Sequence, residues 1–208
     1  MFDVRNLITF VGVVISLFLI PGPAVLLTLA SSISNGRKVG IATGAGVATG
    51  DLLHTTMAVL GLSTLLMTSA LAFTVIKDAG AVYLVYLGVR AFFAKTETLD
   101  LPTMQQASPR RAFQRGLLTE VLNPKTALFF LAFLPQFVRP AQGFAFLQFM
   151  VLGLIFVTLS IAYTSLLALG AGSVGAWLAH HPRASRWQGK FVGSIYLGLG
   201  IRLALQER

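Results

Sequence analysis

A chain of 208 residues in which 55% are hydrophobic and only 11% charged, with a mean hydropathy of +0.78, has too little polar surface to coat a water-soluble core. Its net charge of +9 invites nucleic-acid binding, but the basic residues are spread between long apolar runs, which favours a multi-span membrane protein instead. The absence of cysteine excludes disulfides and thiolate metal sites and leaves the redox compartment unread.

The first apolar run, Leu7 to Ala30, contains no ionisable side chain and exceeds the roughly 20 residues that cross a bilayer. Asp3 precedes Arg5 and the run is far longer than a signal peptide's apolar core, so it is expected to remain in the mature protein as a span. Pro21-Gly22-Pro23 interrupts it. A second run extends from Val39 into the Ile76 region and a third from Ala79 to Phe93, with the connection between them expected near Ser63 to Ala70. Lys77 and Asp78 are read either as a connection or as the end of the third span. Lys95 to Arg115, with Pro102, Gln105, Gln106 and Pro109, is the longest polar stretch and reads as a cytoplasmic linker. The fourth run, Leu117 to Val138, is interrupted at Asn123-Pro124-Lys125; Phe144 to Ala171 and Phe191 to Leu205 complete six spans.

In that arrangement Arg37, Lys38, Arg90, Lys95, Arg110, Arg111, Arg115, Arg183, Arg186 and Lys190 fall at one set of alternate connections, and Arg5, Lys77, Arg139, Arg202 and Arg208 at the other. The positive-inside rule makes the richer set cytoplasmic, with both termini outside. A contact of Arg110, Arg111 and Arg115 with anionic lipid is the alternative to a purely topogenic role. Trp177 and Trp187 flank His180 and His181 as interface aromatics flank a solvated connection.

Gly80-x-x-Tyr83-Leu84 running to Arg90, and Gly193-x-x-Tyr196-Leu197 running to Arg202, share a pattern with one residue of slippage. Together with the proline breaks in the first and fourth spans, this predicts an all-α protein of six transmembrane helices in two inverted three-helix repeats, about 1–94 and 116–208, joined by the linker 95–115. It is one integral membrane domain.

A proline within a span removes a backbone donor and clashes with the preceding turn, so it is tolerated in lipid only where protein or a wet cavity satisfies the freed groups. Asn123 is a good N-cap and Pro124 suits the first helical position; Gly22 and Pro23 offer the same restart in the first half. Both restarts would aim free N–H groups inward, a receptor for a carboxylate to which Lys125 adds charge. The competing reading is a pair of structural kinks with Lys125 snorkelling to an interface.

Asp51 is an acid deep in a span, where even lenient scales charge about 2.5–3.5 kcal/mol, so it must face protein or water. At about 100° per residue Gly40, Gly44, Asp51 and Thr55 share one helix face, with Gly46 and Gly50 forming a second small-residue spacing. Asp51 then holds a substrate ammonium, pairs with Lys125, carries a coupling proton, or only ties two helices. His54 lies three residues on, but no third ligand accompanies the two, and no metal or other cofactor is expected. Glu120, five residues before Lys125 near the inner end of the fourth span, reads as an ordinary interfacial charge ahead of a guard of the cytoplasmic entrance, and Phe129, Phe130 and Phe133 as lipid-facing or packing residues.

Pro21-Gly22-Pro23-Ala24, the glycine-rich second span ending Thr49-Gly50-Asp51, Tyr83-Leu84 to Arg90, and Asn123-Pro124-Lys125 followed by Phe129-Phe130-Leu131-Ala132-Phe133-Leu134-Pro135-Gln136-Phe137 together resemble the lysine-exporter family, in particular its homoserine/threonine-resistance branch, over nearly the whole chain. The resemblance implies a dimeric exporter of amino acids in the bacterial inner membrane, driven by the proton motive force, with Asp51 and the two proline motifs in the functional positions.

No Gly-rich, Lys-containing nucleotide loop occurs, so a secondary mechanism is expected; one charge moved through 100 mV is worth about 2.3 kcal/mol, enough for useful efflux with one coupled proton. A strongly cationic substrate would want more buried acids than Asp51, which inclines the reading to neutral amino acids of the threonine, homoserine or leucine kind. Export of another small metabolite, or a channel or intramembrane enzyme using the same cavity, are the alternatives. An enzyme finds no convergent nucleophile and base here.

Overall fold

The computed structural model describes residues 3–93, 105–139 and 143–180, together with 190, 194, 197 and 198. All regular structure among the described residues is helical. Helix α1, Val4–Leu19, starts at Asp3, whose side chain accepts from the Arg5 N–H at 3.2 Å. It stops at the Ile20-Pro21-Gly22 break, and α2, Pro23–Asn35, leaves at 58° to it. Gly36, at φ 84°, turns the chain into α3, Arg37–Met57, a conformation that a side chain would strain. Helix α3 runs on through a π-helical turn, Ala58–Leu62, into α4, Ser63–Thr68.

Ser69 is extended, and α5, Ala70–Phe93, follows. The connection between the second and third expected spans is therefore this single residue, within the stretch anticipated, and Lys77 and Asp78 lie inside α5. Helix α6, Pro109–Val121, is capped by Ser108; α7, Pro124–Leu128, is capped by Asn123 and continues through a π-helical turn, Phe129–Phe133, and a 3₁₀ turn, Leu134–Phe137. The pair is bent by 44°. Helix α8, Ala145–His180, matches the fifth expected span and continues past it to His180.

Glycines decide how these helices meet. A Cβ on Gly46 would fall on the Phe113 carbonyl, one on Gly116 on the Thr43 carbonyl, and one on Gly50 within 2.7 Å of Glu120 Cβ, so α3 and α6 are in backbone contact and run in the same direction. On its other face Gly44 opposes Thr164 and Thr55 opposes Gly153, so α3 and α8 run antiparallel. Both small-residue faces anticipated on α3 are thus in use, each against a different helix. Phe129, Phe130, Phe133, Phe149 and Phe156 fill the core beside Phe10 and Leu17, with Phe130 and Phe156 edge-to-face at 4.9 Å. The phenylalanines after Lys125 pack inward.

Among the described residues only Ala145–Ala171, at a mean hydropathy of 2.3, is by itself long and apolar enough to cross a membrane, and up to three spans result if each bent pair counts as one. The six expected spans are not reached on this measure. Gly, Thr, Asp51 and His54 fill α3 where large apolar side chains would stand. The sixth expected span, the second copy of the Gly-Tyr-Leu pattern, His181 and Trp187 lie outside the described residues except for isolated positions.

Candidate functional site: a polar junction between two broken helices

The two breaks meet at Lys125. Asn123 caps α7 by accepting from the Lys125 N–H at 3.1 Å, which sets the lysine in the first turn after the restart, from where its side chain reaches across to the first broken helix. There the ammonium donates to the carbonyl oxygens of Leu17 and Ile20, each at 3.0 Å. These belong to the last turn of α1, where helix geometry leaves carbonyls without partners. A cation at a helix C-terminus also opposes its negative end. The third N–H of Lys125 has no protein partner among the described residues.

Gly22 is buried against this lysine: a Cβ there would sit 3.2 Å from Nζ. Pro21, Pro23 and Pro124 are exposed, so the prolines shape the breaks while Gly22, Asn123 and Lys125 face the junction. Because Pro23 has no N–H, the donors left free at the start of α2 are those of Ala24 and Val25.

Asp51 comes to the same region from α3 and is only 1% exposed. Its Oδ2 accepts from the Ser160 hydroxyl of α8, and Glu120 of α6, whose Cβ would lie 2.7 Å from a Cβ on Gly50, is close enough to act on its carboxyl group. Lys125 acts electrostatically on both acids, although no nitrogen–oxygen pair among the described residues comes within ion-pair distance. The charges are held near each other without being locked together.

Glu120 departs from the interfacial role expected of it. It is 3% exposed; Oε2 accepts from Asn123 Nδ2 at 3.1 Å, and its backbone carbonyl accepts from His54 Nε2 at 3.0 Å. The cause is periodicity. Ala112, Gly116 and Glu120 recur every four residues along α6 and form the face that packs on α3, so the acid is carried inward by the small residues below it. That spacing, and the matching Gly46 and Gly50 on α3, were the signals in the sequence that could have found it. Ser160 was likewise legible only as a member of the face of α8 that carries Gly153 and Thr164.

His54 is buried, stacked on Phe130 at 5.7 Å between ring centroids, and commits Nε2 as a donor. Among the described residues no group of three or more His, Asp and Glu side chains converges as a metal site. His54 and Asn123 instead tether the two ends of Glu120, fixing the α6–α7 break against α3. Tyr163 of α8 stacks on Phe18 at 5.5 Å beside the α1 break and completes an aromatic wall.

The arrangement offers free N–H donors at α2, one cation, two acids and a hydroxyl, gathered where backbone is irregular. Such a junction can hold a small zwitterion, or a proton in place of its ammonium.

The family profile described as LysE type translocator matches residues 15–207. The chain is 33% identical to the homoserine/homoserine lactone efflux protein of Salmonella typhimurium, over 90% of each chain. It is 29% identical to the leucine efflux protein of Klebsiella pneumoniae, over 98% of this chain and 96% of the relative, and 33% identical to an uncharacterized membrane protein of Pseudomonas aeruginosa, over 94% and 93%. No solved structure matches the chain.

Proposed function

Because this chain belongs to the LysE type translocator family, we propose that it is a secondary exporter of small neutral amino acids of the threonine, homoserine or leucine kind, driven by the proton motive force across the bacterial inner membrane. The observation that carries this reading is the meeting of the two broken helices at Lys125, with Asp51 near enough to act on its charge.

The substrate carboxylate is received by the Ala24 and Val25 N–H groups at the start of α2 and by the remaining N–H of Lys125, while its ammonium lies toward Asp51. Lys125 thus has two tasks, since it also caps α1. Because the same ammonium holds Leu17 and Ile20, engaging the substrate through its remaining N–H would pull on those bonds and couple occupancy to the geometry of the first broken helix. Protonation of Asp51 from outside then favours release.

The helix directions support six spans in inverted repeats. Parallel α3 and α6 and antiparallel α3 and α8 are what alternating spans two, four and five require, and each broken pair restarts with an extended cap residue followed by proline. Exposed Arg37 and Lys38 at the start of α3 and Arg110, Arg111 and Arg115 along α6 gather at one end; Asn6 bonded to the Phe137 carbonyl brings Arg5 and Arg139 to another. The richer end is assigned to the cytoplasm and both termini to the outside.

The experiment is an efflux screen. Cells loaded with dipeptides are followed by mass spectrometry for every released amino acid, against cells carrying Asp51→Asn. Release of a neutral amino acid that the variant abolishes while still inserting supports the reading, and identical release sinks it. Stimulation by counter-substrate in proteoliposomes separates a carrier from a channel, because a pore shows no exchange.

A further inference from the structure

Asp51 does not stand alone. We propose that Asp51 and Glu120 act as one carboxyl pair that exchanges a single proton for the ammonium group of the substrate, making Glu120 a coupling residue.

The inference rests on the exporter reading above and on four features of the junction. Both acids are almost fully buried, on parallel helices kept in backbone contact by Gly46, Gly50 and Gly116, so neither can withdraw to water without separating α3 from α6. A Cβ on Gly50 would lie 2.7 Å from Glu120 Cβ, so the glutamate leaves α6 against the turn of α3 that carries Asp51, within reach of its carboxyl group, and two carboxyl groups form a hydrogen bond only when one carries the proton. The remaining oxygens are supplied with donors, from Ser160 on one side and Asn123 on the other, which aims both acids at each other. Neither acid makes an ion pair with a cation among the described residues. A glutamate kept for packing would be expected to reach a cation or the surface; here it is buried facing a second acid.

The charges balance in either occupancy. With the proton bound, the pair is one neutral acid and one carboxylate; with an ammonium bound it is two carboxylates and one substrate cation, so each state brings one positive charge to the pair. In the exchange the proton leaves for water on the cytoplasmic side as the ammonium arrives, and a proton from outside takes its place as the amino acid departs. One proton moves inward for each zwitterion moved outward. The groups that face the pair are Lys125 on α7, His54 on α3, whose Nε2 is already spent on the Glu120 carbonyl, and Ser160 on α8; α2 carries no ionisable side chain.

The test uses the full chain, purified and returned to lipid. Difference infrared spectra should contain a protonated-carboxyl band that shifts or disappears in both Asp51→Asn and Glu120→Gln, and that is lost when a transported amino acid is added to the wild type. In proteoliposomes, Glu120→Gln should move the pH midpoint of counterflow by about one unit or more, a change that loss of packing alone would not give. If Glu120→Gln inserts poorly, Glu120→Asp replaces it: the acid is kept but shortened by one methylene, so the band should shift without disappearing and the pH midpoint should move. A carboxyl band unaffected by either residue's substitution, or a counterflow pH profile identical to wild type in the Glu120 variant, overturns the pair. Failure of wild-type counterflow would instead strike the exporter reading, and the infrared result would still judge the pair.

Discussion

Lys125 donates at 3.0 Å to the carbonyl oxygen of Ile20, the cap residue that follows α1, and so stabilises a break in a helix about a hundred residues earlier in the chain. The second proline motif supplies the group that the first one lacks. Carbonyls freed at a helix break within a span need a partner inside the protein, and Lys125 is that partner, so the two interruptions depend on each other.

Lys125→Met keeps the length of the side chain and removes its donors. The Leu17 and Ile20 carbonyls would then be left unsatisfied at a cost of about 1–3 kcal/mol, which should lower the midpoint of thermal unfolding in detergent and weaken transport. Lys125→Arg should recover stability more than transport, since a planar guanidinium can reach the carbonyls but fills the space beside Gly22. Equal midpoints for wild type and Lys125→Met would remove the lysine from the α1 cap.

Gly22→Ala should behave as a conditional defect. Its Cβ would lie 3.2 Å from Lys125 Nζ and 3.4 Å from Cε, so the lysine must give way by a few tenths of an ångström and its bonds to α1 must stretch. Residues in contact are non-additive by about 0.5–3 kcal/mol, so the loss from Gly22→Ala should be smaller in a Lys125→Met background than in wild type. A double-mutant cycle on unfolding free energy measures this, and strict additivity would mean that the two breaks do not communicate.

Gly116→Ala should be among the most damaging conservative changes. Its Cβ would land on the Thr43 carbonyl oxygen, a backbone atom that cannot rotate aside, and forcing α3 from α6 costs about 3 kcal/mol or more. Gly12 and Gly61 have open space where a Cβ would stand, and alanine there should leave the yield of folded protein unchanged. Size-exclusion profiles of the three variants separate helix contact from a general intolerance of alanine.

These comparisons mark what could be read from residue order alone. The breaks, the two small-residue faces of α3 and the depth of Asp51 follow from proline chemistry and from helical periodicity, which are local. The pairing of faces is not local: nothing in the spacing of Gly46 and Gly50 says that α6, rather than α8, covers them. The burial of Glu120 is hidden for the same reason, because it depends on the partner of its helix face and not on its position near the inner end of a span. The reach of Lys125 to α1 was hidden as well, since a lysine beside a predicted helix start reads as charge for a ligand before it reads as a cap for another helix.

The remaining prediction separates charge from geometry at Asp51. Asparagine is nearly isosteric, keeps an oxygen to accept from Ser160, and removes the charge, so Asp51→Asn should insert and unfold much like wild type while net export is abolished. Ser160→Ala does the reverse: the charge stays, but a hydrogen bond to a carboxylate worth about 1.5–3 kcal/mol is lost, and the acid is no longer held in position. If that bond is made more strongly in the transporting state than at rest, export should fall by up to about tenfold to a hundredfold, with some activity remaining where Asp51→Asn has none. Initial rates in proteoliposomes at saturating amino acid decide between them. Full export by Asp51→Asn would show that the acid serves only to join α3 to α8, and a Ser160→Ala variant as inactive as Asp51→Asn would show that orientation, not charge alone, is what the site requires.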